Sequence, residues 1–575
     1  MLRPTEEQDI IVNRAIAGHP LLVEALAGTG KTSSQVMVAN AMPKRYGSYI
    51  TFNRSIANDA ATKFTGGNVI SSTIHSRAFQ AVGVNFAHRL EGPQGGSLTP
   101  LRILQQFRYT SVGGIAPMSR AGLAKRTLTN FLSTMADEPG AEHVPSRDMI
   151  QLAGMRSFQK SDVEALAQLF ADDARELWKE MVRPSSESAQ LPFLHDGYLH
   201  LWAKSNPRLP GDFIMLDEAQ DASEVIKHVV LSQDAQPIIV GDQRQSIYGW
   251  RGAINLMEEL DWEKNYLTQS FRFGDRIASA ANSVLDHLDC PVRMTGYETD
   301  RSNQPLTRAM LFRTNAGVFR ELIERTLERD QRIFVAGGVS ELYQMLNAVE
   351  ALKRGKPTAH PDFIGFTSWP EYIEASEAYN APHEMRLLVK IVQKYPMERL
   401  KAAVTSAKGI EEESANITLL TAHKGKGREW AQIAVGKDFQ LPGKNPLLDD
   451  KENSISEEDA RLQYVTLTRA QQNIFGANEM IGVYRERSKI KAEIAAAANE
   501  PVDVRLATKM KYAPSSDNEV QWEAFCEKLE SDEWRFLQGR VEDGLAAKYP
   551  NLGEEKSDTV AADYTESTPT SSLSR

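Results

Sequence analysis

The sequence predicts an α/β fold of open parallel sheets with functional sites at the C-terminal ends of the strands. Three observations carry this. Short apolar runs recur at "PLLVEAL" (20–26), "YGSYITF" (46–52), "GDFIMLD" (211–217), "AQPIIVGD" (235–242) and "ITLLTA" (417–422). Each ends where a polar or glycine-rich loop begins. Longer amphipathic stretches separate them, the alternation expected of strands buried between helical layers.

The elements follow in order along the chain. Residues 84–207 read as mostly helical, as in "SDVEALAQLFADDARELWKEMV", and look like an insertion between strands. A second α/β unit begins near "TRAMLFRTN" (307–315) and resumes at "ITLLTAHKGKG", with a helix-rich insertion over 336–411 between them. The expected division is 1–83 and 208–275 for a first unit interrupted by 84–207. The second unit takes 276–335 and 412–485, interrupted by 336–411. A helical extension over 486–552 follows, in which Trp522 and Trp534 favour packing. The tail 553–575, rich in Ser, Thr and acidic residues, is expected to be disordered. No internal repeat is visible.

Composition sets outer bounds. A chain of 575 residues exceeds one hydrophobic core, so about three to five domains are expected. Hydrophobic residues at 41% and charged residues at 25% describe an ordinary globular protein. No run of about 18 apolar residues exists to span a membrane, and "MLRPTEEQDIIVNRA" lacks the layout of a secretion signal. Cys290 and Cys526 stand alone, which fits a reducing, cytoplasmic setting and argues against a disulfide or cysteine-rich zinc framework. The net charge of −10 does not exclude nucleic acid, because a local basic channel can track phosphates in an acidic protein.

The first chemical signature is "EALAGTGKT" (24–32). Within Ala27, Gly28, Thr29 and Gly30, the glycines let backbone N–H groups turn toward phosphate oxygens. Lys31 would reach the β and γ phosphates, and the Thr32 hydroxyl would coordinate Mg²⁺. Ala25 stands where the general phosphate-loop pattern has its first glycine. "FIMLDEAQD" (213–221) is an apolar strand ending in paired carboxylates: Asp217 would hold magnesium through water and Glu218 would polarise the attacking water. An isolated Asp-Glu pair is often an acidic helix start, but not at the tip of a buried strand beside a phosphate loop. In "VGDQRQSIYGWRGA" (240–253), Gln245 could sense the γ-phosphate and Arg251 offers a forked donor. Tyr248 and Trp250 are either half-buried anchors or stacking platforms for bases, and composition alone favours packing.

With these segments in order, the chain resembles the superfamily 1 DNA helicases of the UvrD/Rep type. The resemblance covers about residues 1–475. "PTEEQ" (4–8) resembles the N-terminal glutamine motif, which implies Gln8 on the adenine of ATP. "YITFNRSIANDA" (49–60) and "VISSTIHSRAF" (69–79) resemble segments that touch single-stranded DNA, implying roles for Phe52, Asn53 and His75. "LTQSFRFGDRIASAAN" (267–282) implies Arg272 on the γ-phosphate. "LLTAHKGKGREWAQIAV" (419–435) implies Gly427 and Glu429 near the nucleotide and His423 as an interlobe polar contact among the DNA-binding residues. "EEDARLQYVTLTRAQ" (457–471) implies Arg469 as an arginine finger. Arg428 and Trp430 depart from the Leu and Phe usual in the family, and the 336–411 insertion is short.

The resemblance implies two RecA-like lobes clamping ATP and Mg²⁺ between them, with DNA across the tops of both. Under it Trp250 becomes a stacking platform with Phe52 a second candidate, and Tyr248 and Arg251 are expected among the DNA-binding residues. It implies 3′→5′ translocation on single-stranded DNA and at duplex–single-strand junctions, in recombination, repair or replication-fork maintenance. "YITFNRSIA", "TLTNFLSTMADEPGAEHVP", "HDGYLHLW" and "LTQSFRFG" look most like the helicase part of F-box DNA helicases. The sequence opens at the glutamine motif with no F-box segment before it, so a prokaryotic or phage relative without the adaptor role is expected, in the nucleoid or the host cytoplasm. Two alternatives remain: a translocase that strips recombinase with little unwinding, and a motor or sensing subunit of a larger recombination or anti-phage assembly.

Overall fold

A computed structural model describes residues 3–92, 96–146, 149, 159–183, 191–301, 304–377, 383–449, 454–514 and 518–542. The tail expected to be disordered, 553–575, lies outside the described residues. Among the described residues no helix is long and apolar enough to cross a membrane.

Two parallel sheets organise the chain. The first contains β1 (Leu21–Ala25), β2 (Gly47–Thr51), β3 (Val69–Thr73), β4 (Phe213–Leu216), β5 (Gln236–Gly241) and β6 (Lys264–Leu267), in the order β3-β2-β4-β5-β1-β6. A two-strand ladder, β7 (Gln269–Ser270) and β8 (Thr295–Gly296), follows. The second sheet contains β9 (Arg308–Phe312), β10 (Ile333–Val335), β11 (Ile417–Thr421), β12 (Trp430–Val435) and β13 (Ala470–Phe475), in the order β10-β11-β9-β12-β13. Every pairing in both sheets is parallel. This is the α/β class of two RecA-like lobes with parallel sheets.

The period of two along each strand explains why the sheets are buried on both faces. In the first sheet, Leu22, Ile50, Ile214, Leu216 and Ile239 pack on one face with the helical insertion, against Phe131, Leu177 and Trp202. Val23, Tyr49, Met215, Ile238 and Val240 pack on the other, against Ile11 and Val38 of the flanking helices. The five apolar runs all form strands. They are β1, β2, β4, β5 and β11, and "TRAMLFRTN" holds β9; β3, β6, β7, β8, β10, β12 and β13 were not expected. The polar "VISST" of β3 and "AQQNI" within β13 break the apolar run that marks a buried strand, and β3 lies at a sheet edge where only Thr73 of its residues is buried.

Both insertions leave the C-terminal end of a strand. The first, between β3 and β4, holds helices Pro100–Phe107, Pro117–Leu132, Lys160–Val182 and His195–Lys204. The second, between β10 and β11, holds Ser340–Lys353, Trp369–Glu377, His383–Lys394 and Met397–Ser406. A strap between them joins the two. Ile364 of the second insertion is fully buried among Ile115, Leu123, Val144, Leu166 and Phe170 of the first. Ser119 Oγ donates to the Thr358 carbonyl at 3.1 Å alongside it. Burying one such side chain stabilises by about 1.5–3 kcal/mol.

The chain divides into two compact units. One contains both sheets, Met1–Gln440 with Ser456–Asn478, and the other comprises Leu441–Ile455 with Glu479–Arg575. Leu441–Ile455 thus groups with the C-terminal helices, although it falls inside the 412–485 stretch assigned to the second lobe from sequence. The smaller unit has its own core of Leu447, Leu506, Trp522, Phe525, Cys526 and Leu537, with Trp534 packed against it. Arg487 donates to the Gly443 carbonyl at 2.6 Å and pairs with Asp449, which fastens that loop to the helix Asn478–Ala496.

Candidate nucleotide and DNA site

The strand order brings the site together. β4, β5 and β1 are neighbours, so their C-terminal loops stand side by side although they are far apart in sequence. β1 leads into the loop 26–30 and then the helix Lys31–Ala41. Gly28 and Gly30 have φ of 77° and 82°, the left-handed region that glycine enters without penalty. At Gly28 space also demands glycine: a Cβ would lie 2.6 Å from Arg272 Cβ and from Ser270 Oγ. The Thr29 hydroxyl is turned back on the loop, donating to the Leu26 carbonyl at 2.8 Å.

Lys31 Nζ lies 3.5 Å from Glu218 Oε1. Burial pulls the ammonium down, but Glu218, Asp242 and Asp217 more than offset it and hold it above the usual lysine value. Burial likewise pushes Glu218 up, and Lys31 and Lys426 overcome it, bringing the carboxyl down to about 2. Asp217, at the tip of β4, is raised by its burial and by Glu218. The Tyr49 hydroxyl donates to Asp217 Oδ2 at 2.5 Å and also interacts with the Thr32 side chain, so Thr32 and Asp217 flank one hydroxyl. Their donors are all oxygen, the hard chemistry that suits magnesium. Glu218 itself adopts a left-handed φ of 57° and receives Gln220 Nε2 on Oε2 at 2.5 Å. Strain of this kind in a non-glycine residue persists only where the surroundings fix it.

Gln245, beyond β5, is buried and donates to Asp242 Oδ2 at 2.6 Å. Its Oε1 accepts from Arg469 Nη2 at 3.1 Å, and Arg469 comes from the second lobe. Burial and the nearby Arg272 bring the Arg469 guanidinium down to about 9, so it stays charged at neutral pH. Arg272 reaches the second lobe in turn, donating to Glu429 Oε2 at 2.6 Å and to the Thr468 carbonyl at 2.9 Å. Glu429 also accepts from Gln471 Nε2 at 2.7 Å. Gly427 nearby has a φ of 79°. Gln8 sits at the other edge: Oε1 accepts the Thr5 amide at 3.0 Å, and Nε2 donates to Ser34 Oγ at 3.1 Å.

Two further cross-lobe residues were missed from sequence. The Tyr464 hydroxyl accepts the Ala27 amide at 3.1 Å and donates to Asp242 Oδ2 at 3.2 Å, both buried. Lys426 Nζ donates to the Asp221 carboxylate, 2.7 Å from Oδ1, and to the Gln245 carbonyl at 2.6 Å. A tyrosine in an amphipathic helix and a lysine in a glycine-containing turn carry no distinct signal in one sequence. The two departures at 428 and 430 have a local explanation. Trp430 Nε1 donates to Glu412 Oε1 at 3.0 Å, Arg428 pairs with the same carboxylate, and the guanidinium lies 4.9 Å from the indole centroid.

The residues expected on DNA form two groups. Tyr248, Trp250, Arg251 and His423 meet where the lobes adjoin. Tyr248 donates to the His423 carbonyl at 3.0 Å, and the Arg251 guanidinium lies 4.6 Å from the Trp250 ring centroid. Trp250 is 58% exposed, with the His423 ring edge-on at 6.4 Å. Burial, with Arg313 adding to it, brings His423 down to about 4, so the ring is neutral. Phe52, Asn53 and His75 lie elsewhere, at the ends of β2 and β3. Phe52 is half-buried against the core, Asn53 Oδ1 caps the helix Arg54–Lys63, and His75 Nε2 is 2.9 Å from Asp196 Oδ1. Among the described residues no group of three His, Cys, Asp or Glu side chains could hold a metal.

Two parallel sheets sharing one buried site beside a phosphate loop define a two-lobed P-loop protein. Residues 164–262 match the UvrD/REP helicase N-terminal domain, and residues 340–477 match the UvrD-like helicase C-terminal domain. Over these two stretches the chain is similar to both domains of UvrD-like helicases. It is 28% identical to F-box DNA helicase 1 of Gallus gallus, across 81% of this chain and 48% of the relative. It is 27% identical to F-box DNA helicase protein 1 of Schizosaccharomyces pombe, across 82% of this chain and 57% of the relative. A shorter match, 36% over 13% of this chain and 11% of the relative, is to the ATP-dependent DNA helicase PcrA of Leuconostoc citreum. The chain spans about half the length of the F-box relatives it matches.

Proposed function

We propose that this protein is an ATP-dependent DNA helicase that moves 3′→5′ along single-stranded DNA and opens duplex at single-strand junctions, in DNA repair or recombination. The observation that carries this reading is the Arg469–Gln245 contact across the two lobes, made on the same buried cluster as Lys31, Asp217 and Glu218. An arginine delivered by one lobe to a site built by the other stabilises a transition state only when the lobes are together, so hydrolysis and lobe motion are coupled.

Each side chain then has a role. Gln8 faces the adenine, and the Ala27–Gly30 loop with Lys31 cradles the phosphates. Glu218, held ionised beside Lys31, orients and polarises the attacking water. Gln245 reports the γ-phosphate to Arg469, and Arg272 bridges that phosphate to Glu429. Thr32 and Asp217 would hold Mg²⁺, which would neutralise charge on the phosphate oxygens. On the DNA side, exposed Trp250 with Arg251 over its face offers a base-stacking platform. Phe52, Asn53, His75, Tyr248 and His423 flank the strand, and the names of the similar DNA helicases support DNA as the substrate.

The test is ATP turnover with and without single-stranded DNA, with duplex DNA and RNA as comparators, followed by unwinding of substrates with 3′ or 5′ tails. Strong stimulation by single strands and unwinding from 3′ tails are expected. Unstimulated turnover, or unwinding from 5′ tails alone, would overturn the reading.

A further inference from the structure

The segment Thr295–Arg301 clasps the turn Phe271–Arg272, and no role has yet been given to it. We propose that Arg301 is a positioning residue for the nucleotide site and that Tyr297 forms a wall of its purine-base pocket. This rests on the reading of the 24–32 loop as an ATP site.

The clasp has three fastenings. β8 pairs with β7, Gln269 opposite Thr295 and Ser270 opposite Gly296. The Tyr297 amide donates to the Phe273 carbonyl at 2.9 Å. Gly296 lies so close to the Gly274–Asp275 peptide that a Cβ there would be 2.1 Å from Gly274 C. Close approach, rather than a special φ, requires glycine at this position.

Arg301 supplies the fixation that matters for chemistry. Its Nη2 donates to the Phe271 carbonyl at 3.1 Å and to the Arg272 carbonyl at 2.8 Å. One charged nitrogen on two successive carbonyls sets the orientation of both peptide planes. The Phe271 amide, in the peptide just before these two, donates to the Gly28 carbonyl in the phosphate loop at 2.9 Å. The Arg272 side chain leaves the same turn toward Glu429 and Thr468. Arg301 thus holds the base side and the phosphate side of the site through one turn, touching neither.

Tyr297 extends the base side. The Phe271 ring and Gln8 Nε2 both border Gly30, 3.8 Å and 3.6 Å from where its Cβ would be. The Tyr297 ring adjoins Phe271, with centroids 5.6 Å apart and planes tilted by 52°, and is 37% exposed. Gln8 in turn reaches Ser34 Oγ on the helix Lys31–Ala41, at 3.1 Å. Gln8, Phe271 and Tyr297 therefore form a polar edge with two aromatic faces, the chemistry that receives a flat heterocyclic base.

The experiment compares Arg301→Ala, Arg301→Lys, Tyr297→Ala, Tyr297→Phe and Lys31→Ala in the full chain. It measures ATP turnover and the inhibition of that turnover by inorganic tripolyphosphate, which has no base. Arg301→Ala should lower kcat/KM for ATP about five- to thirtyfold, in both KM and kcat, and Arg301→Lys should recover most of it. Tyr297→Ala should raise KM about fivefold with a smaller effect on kcat and no change in tripolyphosphate inhibition, and Tyr297→Phe should recover most of the affinity. Arg301→Ala within twofold of wild type would overturn the positioning role. Equal weakening of ATP and tripolyphosphate by Tyr297→Ala would overturn the base wall. Should Arg301→Ala fail to fold, Arg301→Gln and Arg301→Lys decide the first point by their KM and kcat. Normal turnover by Lys31→Ala would sink the ATP-site reading itself. An inactive Lys31→Ala beside unaffected Arg301 and Tyr297 variants would sink this inference alone.

Discussion

Gln245 is held by the second lobe at both ends: its side-chain oxygen accepts from Arg469, and its backbone carbonyl accepts from Lys426. Between these contacts its amide nitrogen donates to Asp242, which also receives the Tyr464 hydroxyl. Gln245 and its partner Asp242 are therefore where three second-lobe side chains converge on the first lobe. If the lobes part, this arrangement is lost as a unit, so the site assembles with lobe closure rather than independently of it.

Removing the finger should therefore stop turnover without unfolding the protein. Arg469→Ala is expected to lower kcat by about 10³–10⁵. Arg469→Lys should recover little, because an ammonium cannot reproduce the forked donor that serves Val465 O, Gln245 and Thr468 together. Steady-state ATPase assays beside DNA-binding titrations check this; DNA affinity lost in parallel with turnover would point to misfolding instead.

Gly28 gives a second prediction, with two independent causes. Gly28→Ala forces an L side chain to a φ of 77°, and its Cβ meets Arg272 Cβ and Ser270 Oγ at 2.6 Å. The left-handed conformation alone costs about 1–2 kcal/mol. The clash must push away the turn that carries Arg272, so nucleotide affinity should fall more than stability does. Fluorescent-nucleotide titration and thermal melting of the same variant separate the two effects; an unchanged affinity would disprove the close packing of that turn.

Much of this site was legible in sequence because its residues lie at strand ends, where an apolar run stops and a chemically distinct motif begins. Lys31, Asp217, Glu218 and Gln245 are of that kind. What was not legible depends on tertiary contact. Tyr464 reads as one more apolar residue of the helix Glu457–Leu467, and its role arises only because that helix lies against the phosphate loop. The Ile364 strap was hidden for the same reason: an isoleucine between helices says nothing of which core receives it. Arg428 and Trp430, departures from the family pattern, became intelligible only when Glu412 was found between them.

Trp250 tests the DNA side. At 58% exposed, its truncation should cost little stability. Losing one stacking platform should weaken single-strand binding by about 1–3 kcal/mol, with Trp250→Phe intermediate. Arg251 lies over the indole, so Trp250→Ala and Arg251→Ala should not be additive. Fluorescence anisotropy with a labelled oligonucleotide at fixed salt measures all three variants, and wild-type affinity for Trp250→Ala would assign the indole to packing.

The last prediction concerns acid stability. His200 is buried between Phe131 and Trp178 in the first insertion, and burial, with Lys204 adding to it, brings its pKa down to about 4. In the unfolded chain the ring titrates near its ordinary value, about 6.5. Between these values the unfolded state binds a proton that the folded state does not, so stability rises with pH across that window. The contribution is complete above about 6.5 and is lost as pH falls toward about 4, at up to about 1.4 kcal/mol per pH unit. His423 is shifted in the same direction for the same cause. Thermal or denaturant unfolding at pH 7.5 and pH 5 should therefore show clear acid destabilisation. His200→Phe, which keeps an aromatic ring but has no titrating nitrogen, should reduce the slope of stability against pH by about one proton while His423 retains its own share. A slope unchanged in that variant would mean that the His200 ring is protonated, and partnered, in the folded protein.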